Sequence, residues 1–187
     1  MTELHDLFTR RLDGTLAAVG SLRAELPQII AIAETVRERL ARGGTIYTCG
    51  NGGSAAEAMH FAEDLIGRYR SNRPPRRAIC LNADATVLTC IANDFGFDQV
   101  FARACEAMLT SVDALVVLST SGNSENIVLA LQTAQARGAV TIGLLGKGGG
   151  RCAALCKHAM VIDSSDSAHV QEAHQAVLHM LCESLEV

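Results

Sequence analysis

The sequence predicts an α/β fold: a five-stranded parallel sheet with crossover helices, preceded by an N-terminal helical pair. Three observations carry this expectation. From Thr45 onward, short apolar β-type runs alternate with longer helical ones, the rhythm of strands joined by crossover helices. Aromatic residues make up only 4% of the chain and Trp is absent, so Ala, Leu, Val and Ile must build the core, as they do where helices cover a buried parallel sheet. Two Gly- or Ser-rich turns, at Gly50–Ser54 and Ser119–Ser124, each follow a strand-like run and open a helical one.

The first 43 residues read as two helices. Leu7, Leu12, Leu16, Val19 and Leu22 recur near helical spacing, Pro27 sits where a second helix can start, and Ile29, Ile30, Ile32, Val36 and Leu40 continue it. Gly43-Gly44 stops that helix. Strands follow near Thr45–Cys49, Arg77–Leu81, Ala114–Leu118, Val140–Leu145 and Ala159–Ile162. Helices fill the intervals, near Ser54–Gly67, Thr86–Ala92, Gln99–Leu109, Asn123–Arg137 and His169–Leu185. At 187 residues the chain is about one domain long, with 44–187 as its α/β core and 1–43 as an expected oligomerisation element.

Composition narrows the function. With 49% hydrophobic and 19% charged residues the chain can bury enough apolar surface to order itself, which excludes disorder. A net charge of −4 opposes a nucleic-acid backbone, so no nucleic-acid partner is expected. Seven scattered Cys, an odd number mostly set in apolar runs, read as reduced, buried thiols of a cytoplasmic protein. No stretch approaches the ~20 apolar residues that span a bilayer, and no membrane association is expected.

Four constellations carry chemistry. In Gly50-Asn51-Gly52-Gly53-Ser54 the glycines allow a tight turn, and the helix start offers free N–H groups to an anion. The spacing is neither a dinucleotide fingerprint nor a P-loop. Ser119-Thr120-Ser121-Gly122-Asn123-Ser124 packs four hydroxyls around the second turn, enough to surround phosphate oxygens without a lysine. Two such turns at the carboxyl ends of parallel strands point to one crevice and favour a phosphorylated small molecule. His60 and Asp64 lie four apart and share a helix face, while Gln171 and His179 lie two turns apart on the last helix. If the two helices meet, these residues could hold a divalent metal or move protons. Finally, five Arg stand between Arg68 and Arg77, either a solvated loop or a lure for an anion, and Asn93-Asp94-Phe95-Gly96-Phe97 reads as a polar turn before a helix.

These motifs, with Met59-His60-Phe61-Ala62-Glu63, Gly67-Arg68-Tyr69-Arg70, Asn72-Arg73-Pro74, and Gln171-Glu172 with His174 and His179, resemble the phosphoheptose isomerases of the SIS (sugar isomerase) family. The resemblance implies a three-layer α/β sandwich, the SIS fold. It implies an aldose–ketose isomerase that converts sedoheptulose 7-phosphate to D-glycero-D-manno-heptose 7-phosphate through an enediol(ate), the first step of ADP- or GDP-heptose synthesis for lipopolysaccharide and related glycans. It also implies a homotetramer with active sites between subunits. On matching positions, Ser54, Ser119, Ser121 and Ser124 would hold the phosphate, with Asn51, Gly52 and Gly53 shaping the first turn and Thr120 lining the sugar. Arg68, Asn93, Asp94 and Gln171 would contact substrate. Asp64 would be the base and His179 its acid partner, and a zinc ion would be held by His60, Asp64, Gln171 and His179.

Two departures stand out. Asp64 occupies the place where the family usually has glutamate; one lost methylene withdraws the carboxylate by ~1.5 Å, and misplacement of that order can cost ~100-fold in rate. His169 stands where arginine is common. A non-catalytic SIS-fold regulator that binds the replication initiator protein, and an isomerase of another sugar phosphate, are the alternatives. Asp64, His60 and His179 argue against the first, because that relative lacks the acid.

Overall fold

In the computed structural model, which describes residues 2–187, the chain opens with α1 (Glu3–Ser21) and α2 (Leu26–Ala41). The Thr2 hydroxyl accepts from the His5 N–H to start α1, and Pro27 sits in the first turn of α2, where a missing N–H costs nothing. The core then runs β1 (Ile46–Gly50), α3 (Gly53–Ile66), β2 (Ala78–Cys80), α4 (Ala85–Phe95), a 3-10 turn at Phe97–Gln99, α5 (Ala102–Met108) and β3 (Ala114–Ser119). It continues through α6 (Glu125–Ala136), β4 (Val140–Gly146), the short α7 (Gly150–Ala153), β5 (His158–Ile162) and α8 (Ser167–Ser184).

The five strands pair in parallel in the order β2-β1-β3-β4-β5. β1, β3 and β4 are buried along their whole length, which is why they read as continuous apolar runs rather than alternating ones. One face of the sheet packs on α1, α2, α3 and α8, through residues such as Ile32, Val36, Phe61, Leu65, Val177 and Leu181. The other packs on α4 to α7, through Val100, Phe101, Cys105, Ile127, Leu131 and Cys152. The result is the expected three-layer sandwich, and each fully buried Leu, Ile or Phe contributes about 1.5–3 kcal/mol.

The strand expectations hold within a residue or two. The helix expected at Gln99–Leu109 is instead a 3-10 turn followed by the shorter α5. The helix expected at Thr86–Ala92 is longer: Asp84 caps it by accepting from the N–H groups of Thr86 and Val87, and it runs to Phe95. Asn93 and Asp94 are therefore in the last turn of a helix, not in a turn before one. The stop signal is Gly96, which takes φ +91°. All seven cysteines are free thiols and five of them are buried, as expected.

α1 lies on α8, held by the Arg11 guanidinium and the Thr15 hydroxyl, which both reach the Glu172 carboxylate, the hydroxyl at 2.6 Å. Its outer face leaves Leu4, Leu7, Phe8, Leu12 and Leu16 between 48% and 69% exposed. Among the described residues no single helix is long and apolar enough to cross a membrane.

Candidate active site

Strand order reverses between β1 and β3: the chain leaves β1 toward β2 on one side, and leaves β3 toward β4 and β5 on the other. Gly50 of β1 is paired with Leu118 of β3, so the two turns that follow these strands stand side by side at their carboxyl ends. A crevice at such a switch point is where open parallel sheets bind ligands.

The first turn, Asn51 to Gly53, needs glycine for reasons of space. A Cβ on Gly50 would lie 2.5 Å from the Ser54 carbonyl oxygen, and one on Gly53 would strike the Gln171 amide. In the second turn, the Ser119 hydroxyl accepts from the Gly122 N–H at 3.1 Å and the Ser121 hydroxyl from the Asn123 N–H at 3.2 Å. Ser124 sits at the cap position of α6. Together Asn51, Ser54, Leu118, Ser119, Thr120, Ser121, Ser124 and Gln171 line a small pocket of about 70 Å³. No charged side chain lines it. Its donors are hydroxyls, amides and helix-start N–H groups, a set that suits an anion.

Asn51 turns out to be a clamp rather than a free donor. Its amide pairs reciprocally with that of Asn126, at 2.9 Å in both directions, and ties the first turn to α6 across the crevice. Asn126, 2% exposed, carries no signal in the sequence beyond being an amide near a helix start.

One helix links this pocket to the second cluster. α3 starts at Gly53 and carries, on one face, Ser54, Glu57, His60 and Asp64. α8 lies along it, with Gln171 against Gly53 and Cys182 Sγ 3.9 Å from the Asp64 carboxylate. Here the two helices bring together the residues that sequence alone could only pair by hypothesis. His60 Nε2 is 3.2 Å from Asp64 Oδ2, and ligand atoms of His60, Asp64 and His179 all lie within 4.8 Å of one another. The His60 and His179 rings are 5.5 Å apart between centroids, and the Tyr69 ring lies 5.4 Å from that of His179. Short as it is, the Asp64 side chain reaches this centre. It is buried while His60 is 45% exposed, so the cluster opens to solvent on the His60 side.

Two imidazoles and a carboxylate are a three-ligand set of the kind that holds a catalytic zinc with a further position open. The residues therefore fit the ion. Gln171 belongs to the hydroxyl pocket, eight residues or ~12 Å of helix before His179. The amide that touches His179 is Gln175, with its Nε2 2.9 Å from His179 Nε2. Gln175, four residues before His179, escaped the sequence reading although its spacing was a usable signal.

Arg73, from the Arg-rich segment, donates to the carbonyl of Asp64 at 2.7 Å and to that of Leu65 at 3.1 Å, securing the end of α3 where Asp64 stands. The other arginines spread out: Arg70 pairs with Glu183 at 2.8 Å on the surface, and Arg68 is exposed. Asn93 and Asp94 are exposed too, with the Asn93 amide donating to Asp94 at 2.7 Å. None of Arg68, Asn93 and Asp94 lines the hydroxyl pocket. His174 is a core residue: fully buried, with Nε2 3.2 Å from the Leu145 carbonyl, and pushed by burial down to about 4.

Residues 13–146 match the SIS domain family. The chain is 42% identical over 184 residues to a phosphoheptose isomerase of Trichlorobacter lovleyi, covering 98% of this chain and 94% of that one. It is 44% identical over 159 residues to phosphoheptose isomerase 1 of Campylobacter jejuni, covering 85% of this chain and 86% of the other. Among solved structures, phosphoheptose isomerase GmhA of Neisseria gonorrhoeae superposes with a TM-score of 0.92 at 33% identity, covering 98% of both chains.

Proposed function

The chain belongs to the SIS domain family and, within it, to the phosphoheptose isomerases, and on that premise we propose that Asp64 and His179 carry the proton transfers by which it interconverts sedoheptulose 7-phosphate and D-glycero-D-manno-heptose 7-phosphate. The observation that carries this reading is the convergence of His60, Asp64 and His179 on the same two helices, α3 and α8, whose N-terminal ends border the hydroxyl pocket. Ser54 and His60 are six residues apart, ~9 Å of helix, a span comparable to an extended seven-carbon chain. A phosphate held by Ser54, Ser119, Ser121 and Ser124 would thus leave the carbonyl end of the sugar at the cluster.

Isomerisation moves one carbon-bound proton between C1 and C2 while an oxygen proton passes between O2 and O1. Asp64, as carboxylate, takes the proton from C1 of the ketose and returns it to C2. His179 supplies a proton to O2 and receives the one from O1, so atoms and charge balance over the cycle. His60, 3.2 Å from Asp64, orients that carboxylate. Phosphate binding at the far end fixes the reacting carbons against the two groups, which converts binding energy into orientation.

The test is direct. Incubation with sedoheptulose 7-phosphate in deuterated water should give heptose product labelled at C2, because a carboxylate exchanges its proton with solvent; absence of product at any enzyme concentration overturns the reading.

Zinc belongs to the same proposal. His60, Asp64 and His179 would hold it, with Gln171 or Gln175 nearby, and when bound it supplies Lewis acidity toward the sugar oxygens. The exposed apolar face of α1 is suited to assembly of a homotetramer, which would bring Arg68, Asn93 and Asp94 of other subunits toward the pocket. The chemistry is that of a cytoplasmic enzyme whose ligands are small sugar phosphates. Native mass spectrometry of protein purified without added metal reads both points, with four chains and up to four zinc ions expected; a metal-free monomer would refute both.

A further inference from the structure

Among the described residues, two buried carboxylates remain besides Asp64. Asp113 is fully used, accepting from the N–H groups of Thr45 and Thr110 and from the Thr110 hydroxyl, each at 2.7 Å. Glu57 is not: it is 8% exposed and both of its carboxyl oxygens are buried without a hydrogen-bond partner. It lies on α3 one turn after Ser54 and one turn before His60, on the face that runs from the hydroxyl pocket to the proton-transfer cluster.

An ionised carboxylate in that position would have neither a donor nor a counter-ion, and burial makes this far costlier than holding the neutral acid. We propose that Glu57 sets the proton dependence of the phosphate pocket: held as a neutral acid one turn after Ser54, it places no negative charge behind the hydroxyls that face the phosphate. This rests on the reading of the hydroxyl pocket as the phosphate site. Were Glu57 ionised, a like charge would stand one turn from the residue that borders the anion and would weaken its binding.

The protonation state agrees. Burial raises the Glu57 pKa from its ordinary 4.5 to about 8, and the Ser54 hydroxyl is the side chain that opposes the rise. Other titratable groups on the elements packed against α3 are engaged elsewhere. On α8, His169 packs its ring against Gly14 of α1, His174 bonds the Leu145 carbonyl, His179 contacts Gln175, Glu172 pairs with Arg11, Glu183 with Arg70, and the Cys182 thiol lies against Asp64, while Arg73 beyond α3 bonds the Asp64 and Leu65 carbonyls. On α3 itself, His60 pairs with Asp64, and Glu63 is exposed. β1 and β2 carry only Tyr47, Cys49 and Cys80, and β3 carries none. The sign for stability follows: the unfolded chain loses the proton near pH 4.5 and the folded chain near 8, so stability owed to this group is complete below pH 4.5 and is lost as pH rises to about 8.

Proton and phosphate are then reciprocal ligands. The experiment is calorimetric titration of the intact enzyme with inorganic phosphate, wild type beside Glu57→Gln, at pH 7 and pH 9.5. At pH 7 the two should bind within about threefold of each other; at pH 9.5 the variant, which cannot ionise, should bind about tenfold more tightly than wild type. A ratio that does not change with pH overturns the proposal, because a purely structural residue would shift stability without giving the ratio a pH dependence. Should the variant fail to fold, wild type alone decides: titrations near pH 8.5 in buffers of different ionisation heat should reveal proton uptake by the protein on phosphate binding, and its absence overturns the proposal. Failure of wild type to bind phosphate at either pH would overturn the pocket reading and the Glu57 role together, whereas binding with parallel pH profiles removes the Glu57 role alone.

Discussion

Asp64→Asn lowers kcat by about 100- to 10,000-fold, the range a positioned general base contributes, and leaves the fold intact. The substitution keeps the shape of a buried side chain, so packing against Cys182 and the hold of Arg73 on the backbone carbonyl survive. What it removes is the ability to accept a proton from carbon. His179→Gln has an effect of the same order, since the oxygen protons then lack their carrier. The double variant is little worse than either single one, because groups that act as a unit lose their effect together. Steady-state kinetics with sedoheptulose 7-phosphate, beside thermal melts of the same preparations, decide the matter. Wild-type kcat in either single variant would remove that residue from the mechanism, and KM changes alone would reassign it to binding.

Gly122→Ala collapses the second pocket-forming turn. Gly122 has φ +62°, and a Cβ there would lie 2.0 Å from the Gly149 carbonyl oxygen and 2.4 Å from its carbon. Both are backbone atoms, so relief requires one loop to leave the other. Strain of this kind costs about 1–3 kcal/mol for the conformation alone, and with the clash about 3–5 kcal/mol in all. That lowers Tm by about 6–20 °C for a chain of this length, and because the Gly122 N–H also bonds the Ser119 hydroxyl, KM rises steeply with it. Gly148→Ala is the control: its φ is +78°, but a Cβ there meets nothing within 4 Å, so only the conformational penalty applies. Equal melting temperatures for the two variants would show that the contact with Gly149 is dispensable.

Much of this was legible in the residues. Buried parallel strands announce themselves as apolar runs, and turns that need glycine announce themselves as glycine, so the sheet and both pocket-forming turns were readable in advance. The His60–Asp64 pair was readable because four residues make one helical turn. What could not be read was anything that depends on how α3 lies against α8. His179 is carried to Asp64 by packing between segments more than a hundred residues apart, whereas Gln175 meets His179 through the four-residue spacing within α8 and could have been read in advance. Asn51 was expected to border the ligand, and only the packing of α6 beside the first turn shows that its amide also pairs with Asn126. Glu57 carries no mark in the sequence, and only burial, which takes both its oxygens out of water, sets it apart. Asn93 and Asp94 were misplaced for a local reason: the stop lay at Gly96, beyond them.

The position of α8 in the chain sets the order in which competence arises. All five strands precede it, and so do both pocket-forming turns, while its inner side supplies Val170, Ala173, Val177, Leu178 and Leu181 to the layer beneath the sheet. During synthesis both pocket-forming turns can be sketched out early, but His179 arrives with the same stretch that seals the interior. A polypeptide interrupted before that stretch is thus left with exposed oily surface as well as no activity, and becomes a substrate for chaperones and proteases instead of a silent competitor for sugar phosphate.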